Sequence, residues 1–275
     1  MAPTARDTAT IGMFARTDHD HPSIFRPENL LREARRQRNL PPGTVPDVCL
    51  LDPDGDIVRF LRQEGRARRS ASWACYHTDL WLTELEEVKI GVVGNAVGAS
   101  FAVLIAEQLF ASGCALLVSI SSAGKIDPDV FLPDMILIDR ALRGEGASHA
   151  YLPAAPEVEA DSLLMHAASR GLERTGLQPF RGTTWTTDAP YRETSEALAI
   201  AVRAGAVIVE MEAAALYAFG EACGRAVICL AHVTNTMAVS PGDFEKGPRD
   251  GAEKALAVTI AAAKGWIGEK NAMRQ

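Results

Sequence analysis

Apolar residues in this chain fall into short unbroken runs, separated by stretches where they recur every three or four positions. The first pattern reads as buried strands and the second as helices turning one face to a core. Residues 27–39 open with Pro27 and Glu28, which suit a first helical turn. Leu30, Leu31 and Ala34 share a face, and Pro41-Pro42-Gly43 stops the helix. A strand is expected over 45–51, and after Gly55 the spacing of Ile57, Phe60 and Leu61 is helical. "SWACYHTDLWLTELEEVKIGVVG" reads as strands joined by a turn, ending in an apolar strand over 90–93. A loop of small residues over 94–100 leads to an apolar helix over 101–110. "CALLVSI" is then a buried strand with "SSAGK" at its carboxyl end, and "DMILIDRAL" is another strand. The second half predicts a helix over 157–174, a strand over 180–186 and a helix over 195–203. Strand "AVIVE", a helix over 212–222, strand "AVICLAHV" and a closing amphipathic helix over 252–266 complete it.

Strands alternating with helices predict an α/β fold with a largely parallel or mixed sheet covered on both faces. The chain divides into an N-terminal arm and helix, 1–44, whose first 22 residues read as a loose arm, and a single domain, 45–275. Ligands of such folds sit outside the carboxyl ends of the strands, so the residues just after each strand are the first candidates.

Composition narrows the classes. The 275 residues are 47% hydrophobic and 23% charged, enough for one large core, and the net charge of −7 offers no basic field to nucleic acid or an acidic membrane. Arginines gather at Arg32, Arg35, Arg36 and Arg38 and at Arg62, Arg66, Arg68 and Arg69, which reads as a solvated helix face or a subunit contact. Five cysteines without a CxxC pair, three of them in apolar runs, point to buried thiols rather than a disulfide framework or metal site, and to a reducing cytoplasm. The N-terminus lacks an apolar signal core, and no window is long enough for a membrane helix.

Two segments carry candidate chemistry. "CLLDPDGDIVRF", residues 49–60, has carboxylates at Asp52, Asp54 and Asp56, a glycine at Gly55 and a cation at Arg59. A calcium loop needs its glycine one place later and a glutamate at its twelfth position, so that reading fails. "LLDPDGDIV" resembles the D-x-D-G opening of haloacid-dehalogenase phosphatases, with Asp52 as nucleophile and Asp54 as acid, but the likeness is one short motif. A phosphate-binding loop with Arg59 as its cation is the third reading. In "VIVEMEAAALYAFG", residues 207–220, a strand ends in Glu210 and Glu212 flanking Met211 and runs straight into a helix. Carboxylates there can each accept two hydrogen bonds from vicinal hydroxyls, or can complement a helix dipole.

"VEMEAAALYA" resembles the V-E-M-E-(S/A)-A signature of the nucleoside phosphorylase superfamily, the branch holding uridine phosphorylase, hexameric purine nucleoside phosphorylase and the nucleosidases. "NAVGASFAVLIAEQL", "SISSAGKIDP", "RGEGASHAYLP" and "TTDAPYRET" are similar to that family's further motifs in the same order, over about residues 45–267. The resemblance implies a phosphorylase-like three-layer α/β/α sandwich with a central mixed sheet, usually assembled into oligomers. It also sets "PDGDIVRF" against the family's P-G-D-P-x-R phosphate loop, with Ile57 where the family has proline.

Residue by residue, the resemblance implies that Glu212 binds the ribose hydroxyls, that Met211 packs on the sugar and that Glu210 shapes this pocket and serves as a base in hydrolysis. Arg59, Gly55, Gly98 and Ser122 would bind phosphate; Thr187, Asp188, Tyr191 and Asn235 would face the base, with Asn235 donating to the leaving group. An asparagine cannot protonate a purine N7 as an aspartic acid can, which suits uracil-type or 6-oxopurine substrates. Ser119 replaces the family's second phosphate arginine, Pro190 its base-stacking phenylalanine, and His77 lies where a neighbouring subunit's arginine would act. His19 and His21, in the arm, cannot be matched to the family's N-terminal histidine. The implied activity is phosphorolysis of a nucleoside, natural or modified, to free base and ribose 1-phosphate, with inorganic phosphate as co-substrate and no cofactor or metal. The alternative is a nucleosidase using water, for which the missing arginine argues, since a charge-assisted contact is worth roughly 1.5–3 kcal/mol. The expected partners are the nucleoside, phosphate and further copies of the chain, as a dimer-built assembly up to a hexamer.

Overall fold

A computed structural model of the protein describes residues 18–127, 129–176, 180–237 and 239–272; most of the expected arm, and Met1 to its neighbours through residue 17, lie outside them. Ten strands form one sheet: β1 (Val48–Asp52), β2 (Arg68–Arg69), β3 (Trp81–Leu85), β4 (Val88–Gly94), β5 (Leu116–Lys125), β6 (Met135–Gly144), β7 (Glu157–Glu159), β8 (Phe180–Thr187), β9 (Ala206–Glu210) and β10 (Ala226–Asn235). The helices are α1 (Pro27–Arg38), α2 (Asp56–Gln63), α3 (Ala99–Ala111), α4 (Ser162–Glu173), α5 (Ser195–Arg203), α6 (Ala213–Cys223) and α7 (Ala252–Ala272).

The sheet order is β10-β6-β8-β9-β5-β1-β4-β3-β2, with β7 on β6. β1 runs parallel to β4 and β5, while β10 is antiparallel to β6 and β9 to β5, so the sheet is mixed. β10 also pairs with β5, which closes β10, β6, β8, β9 and β5 into a ring. The ring converges at Gly124, where an added Cβ would lie 3.1 Å from Asn235 Oδ1 and 3.4 Å from Val209 Cγ1. Three strands can meet there because the residue has no side chain.

Strand alternation sorts the core into two layers. Cys49 and Leu51 of β1 pack with α3 and α6, and Val48 and Leu50 pack with α2, α4 and α7. This is the α/β/α sandwich with its mixed sheet. Helices α4 and α7 touch backbone to backbone: a Cβ on Gly171 would lie 2.0 Å from the Ala261 carbonyl oxygen, and one on Gly265 would lie 2.0 Å from that of Ala167. That contact holds α7 flat on its layer and explains why its buried positions lie on more than one face, unlike the amphipathic helix expected over 252–266. Leu31 and Ala34 of α1 pack on Ala74.

Two expectations shift. The helix foreseen over 157–174 is divided: residues 157–159 pair with β6 through Val158 and Ala141, and Asp161 caps α4 by accepting from the amides of Leu163 (2.8 Å) and Leu164 (3.0 Å). An N-cap residue has non-helical dihedrals, so no helix runs through Asp161. "SSAGK", expected just after the strand "CALLVSI", continues it as the end of β5, paired with β10 and β9. All five cysteines are free, and all but Cys223 are buried. Among the described residues no helix is long and apolar enough to cross a membrane.

Candidate active site

The junction between β9 and α6 fixes two carboxylates at the carboxyl end of the sheet. Glu210 is buried, and its oxygens accept from the hydroxyls of Thr184 (3.2 Å) and Thr186 (2.6 Å) and from the amides of Glu212 (2.7 Å) and Ala213 (2.8 Å). Thr186 Oγ1 also accepts from the amide of Ala214 (3.0 Å). These bonds satisfy the first donors of α6, which would otherwise be buried and unpaired. Burial pushes the Glu210 pKa up, and its four donors pull it back. With both oxygens engaged, Glu210 is the brace of the junction.

Glu212 faces the other way. Its Oε1 accepts from the amide of Gly98 (2.7 Å) and its Oε2 from Ser121 Oγ (2.7 Å). Gly98 enters α3 at φ 94°, and an added Cβ would meet nothing within 4 Å, so the backbone there borders open space. Burial, and then the charge of Glu210, push the Glu212 pKa up to about 8. Each carboxylate oxygen has a lone pair left for a hydroxyl donor.

The loop between β1 and α2 supplies the opposite wall. Asp52 is buried and accepts from the amides of Gly55 (3.1 Å) and Val58 (2.9 Å), which shapes the turn. Burial foremost pushes its pKa up to about 7. Gly55 takes a left-handed φ of 78°, and a Cβ there would lie 2.4 Å from Asn95 Oδ1, so both conformation and space require glycine. Asp54 Oδ2 accepts from the Ser122 amide (3.2 Å) and from the Ser122 hydroxyl, and Lys246 Nζ stands 3.3 Å from the same oxygen. Lys246 also donates to Asp56 (2.6 Å). Ser121 and Ser122, neighbours on β5, therefore each hold one carboxylate, Glu212 and Asp54.

The remaining expected residues are placed as follows. Arg59 does not join the groups around Ser122: its Nη2 donates to Asp56 (2.5 Å) and to Asp250 (2.7 Å), with the side chain 48% exposed. Met211 is partly buried beside the two glutamates. Thr187 is buried and accepts from the Ala189 amide (3.2 Å); Asp188 accepts from the Gly146 amide (2.9 Å), tying the end of β8 to the loop after β6. Tyr191 is 97% exposed. Asn235 donates to Thr234 Oγ1 (3.1 Å) and accepts from the Met237 amide (2.9 Å). Ser119 is buried with no partner for its hydroxyl, and His77 is exposed, edge-on to Phe101.

Sequence reasoning missed Asp54, Lys246, Ser121 and Thr186 as members of this cluster. Ser121 and Thr186 were within reach, since both stand at the carboxyl ends of strands that were themselves foreseen. Lys246 had no such signal: "GDFEKGPRD" lies outside every periodic segment.

The family model of the phosphorylase superfamily matches residues 47–264. The chain belongs to the phosphorylase superfamily. Among its relatives in that superfamily is a uridine phosphorylase of Thermococcus kodakarensis, 29% identical over 155 residues, a match covering 54% of each chain. The protein thus spans about half the length of that relative. A guanosine phosphorylase of Halorubrum lacusprofundi is 24% identical over 80% of this chain and 89% of its own. A DeoD-type purine nucleoside phosphorylase of Caldanaerobacter subterraneus is 25% identical over 54% of this chain and 65% of its own. The crystal structure of AMP nucleosidase from Bacteroides thetaiotaomicron superposes with a TM-score of 0.68 over 89% of this chain and 99% of that one, at 20% identity. At that identity the likeness shows the fold.

Proposed function

We propose that this phosphorylase-superfamily protein hydrolyses the N-glycosidic bond of a nucleoside, with water as the nucleophile. One observation carries the reading: the Asp54 carboxylate rests on the Ser122 amide and hydroxyl, the position an attacking anion would need beside a sugar held at Ser121 and Glu212. The three donors around Asp54 address Oδ2, which leaves Oδ1 to receive a proton.

The transition state carries positive charge on the ribosyl ring and negative charge on the departing base, and groups that meet those charges lower the barrier. Glu212 accepts from the ribose hydroxyls and holds the sugar, while Met211 packs on it. The water oxygen bonds to C1′ as the C1′–N bond breaks. One water proton passes to Asp54, which later releases it to solvent, and the departing nitrogen takes up one proton from solvent, so the products are free ribose and neutral base and Asp54 is restored. The Asn235 amide has one N–H beyond its bond to Thr234, which suits a carbonyl or ring nitrogen of the base. Thr187 and Asp188 border that side; Glu210 braces Glu212 rather than acting as base.

Phosphorolysis is the second reading. It is favoured by the phosphorylase names of the relatives and by two cations, Lys246 and Arg59, already bound to this loop. A panel of purine and pyrimidine nucleosides, assayed for base release with and without inorganic phosphate, separates the two. The expected result is phosphate-independent release with free ribose as the sugar product. An absolute requirement for phosphate, with ribose 1-phosphate formed, overturns hydrolysis.

A further inference from the structure

The end of the connection between β10 and α7 holds a run of positive-φ residues. Gly247, Arg249, Asp250 and Gly251 all adopt positive φ, at 78°, 52°, 55° and 72°. Two of these are not glycine, a conformation that is sparsely populated and persists only where neighbouring contacts demand it. The loop is pinned at its start, where the Thr236 amide donates to Asp243 (2.9 Å) and the Glu245 amide to the Thr234 carbonyl (2.8 Å). It is pinned at its end where Asp250 accepts from Arg59 (2.7 Å). Between these anchors Lys246 reaches inward, its side chain only 18% exposed, to Asp56 (2.6 Å) and Asp54 (3.3 Å). Burial works to lower the Lys246 pKa, and the Asp56 and Asp54 carboxylates more than reverse it, so the ammonium keeps its charge.

Asp54 is therefore an internal anion in a cradle of three donors: the Ser122 amide, the Ser122 hydroxyl and the Lys246 ammonium. An amide, a hydroxyl and an ammonium converging on one point are also what an external oxyanion requires. We propose that Lys246 is a positioning residue that selects the nucleophile: it locks Asp54 onto Ser122, so that a built-in carboxylate excludes inorganic phosphate, and without Asp54 the same three donors bind phosphate. The inference rests on the hydrolytic reading of this site. It goes further in assigning the exclusion of phosphate to one carboxylate and one lysine, Asp54 and Lys246, which lie far apart in sequence. The backbone strain at Arg249 and Asp250 is what the loop sustains to deliver Lys246.

The test titrates the full chain with inorganic phosphate by calorimetry. The parent should show no saturable binding, and Asp54→Ala should bind at least about tenfold more tightly than any residual affinity of the parent, as a like charge is removed and three donors are freed. Asp54→Ala combined with Lys246→Met should lose that gain. Should Asp54→Ala fail to fold, Asp54→Asn keeps the shape and removes the charge, and should show a smaller gain in the same direction. On turnover, Lys246→Met should lower kcat about tenfold or more with KM little changed, and Lys246→Arg should restore most of it, which loss of packing alone would not produce. Parent binding as tight as that of the Asp54 variants, or a gain that survives loss of Lys246, overturns the proposal. The two failures are distinct: a phosphorolytic parent makes ribose 1-phosphate, whereas an idle Lys246 leaves ribose as product and the double variant unchanged.

Discussion

The two walls of the site are built by different physics. At the sugar wall, Glu212 and Glu210 are buried and held by backbone amides and hydroxyls. At the nucleophile wall, Asp54, Asp56, Arg59, Lys246 and Asp250 are linked by ion pairs, of which those made by Arg59 reach solvent while those made by Lys246 are largely buried. Buried bonds between neutral donors and a carboxylate are stiff, and losing one partner strands the other. Exposed ion pairs are cheap to exchange and weaken with salt. In the proposed reading the first wall is a fixed template for the sugar, and the second couples a buried lock, Lys246 on Asp54 and Asp56, to an exchangeable outer pair at Arg59.

The sharpest way to break this comparison is at its stiff end. Glu212→Ala should lower kcat/KM for base release by about 100-fold to 1,000-fold, the scale at which a preorganised hydrogen-bonding group in an active site acts. Circular dichroism should show the fold unchanged. Activity within tenfold of the parent would mean that the sugar is held elsewhere. Glu210→Gln should act first on stability: its carbonyl oxygen can keep the Glu212 and Ala213 amides, but its NH2 then meets the Thr184 and Thr186 hydroxyls that now donate to the other oxygen. A buried partner left unsatisfied costs about 1–3 kcal/mol, so the urea midpoint should fall clearly, and activity should fall with it.

The same contrast governs what the sequence could disclose. The sugar wall is written in near neighbours: strand "AVIVE" runs into a helix, and Glu210 reaches amides two and three residues on. A short motif can carry such a wall, and the α/β/α order could be read for the same reason, since each strand and helix has its own periodicity. The nucleophile wall joins residues about 190 positions apart, as in Asp56 with Lys246 and Arg59 with Asp250. No local pattern records that Lys246 arrives there. The loop motif put Arg59 in a sensible place on the chain, yet its side chain answers to Asp56, three residues before it, and to Asp250. The division at 157–161 was hidden for a related reason, since a three-residue strand is defined by its partner β6 more than by its own sequence.

A smaller effect separates the walls by pH. Burial raises Asp52 to about 7, whereas a carboxyl in the unfolded chain titrates near 4, at roughly its free value. A folded pKa above the unfolded one favours folding at low pH; that contribution is full below about pH 4 and is lost as pH climbs through about 7. His149 and His232, both pushed down by burial, act in the opposite sense, so the parent profile alone mixes signs. The difference between the parent and Asp52→Asn isolates the carboxylate. Across urea unfolding at pH 5 to 8, the parent should lose more stability than the variant as pH rises. Parallel profiles would show that Asp52 is not strained by its burial.

The least effect is expected at Arg59, and it is the most discriminating for the nucleophile wall. The side chain is 48% exposed; of its two partners, Asp250 is exposed and Asp56 is largely buried. An exposed pair of this kind is worth about 0–1 kcal/mol, so Arg59→Ala should shift the unfolding midpoint slightly and leave base release within about twofold of the parent. Asp56 keeps Lys246 as a partner at 2.6 Å, which is why the loop should hold its shape. If Arg59 instead served phosphate, the same variant would show a rise in KM for phosphate alone, and the rate would recover as phosphate was raised. The assay is one titration of phosphate at fixed nucleoside, in parent and variant. Two flat, superimposed lines are the outcome the geometry calls for, because Asp54 and not Arg59 is the charged group that meets Ser122.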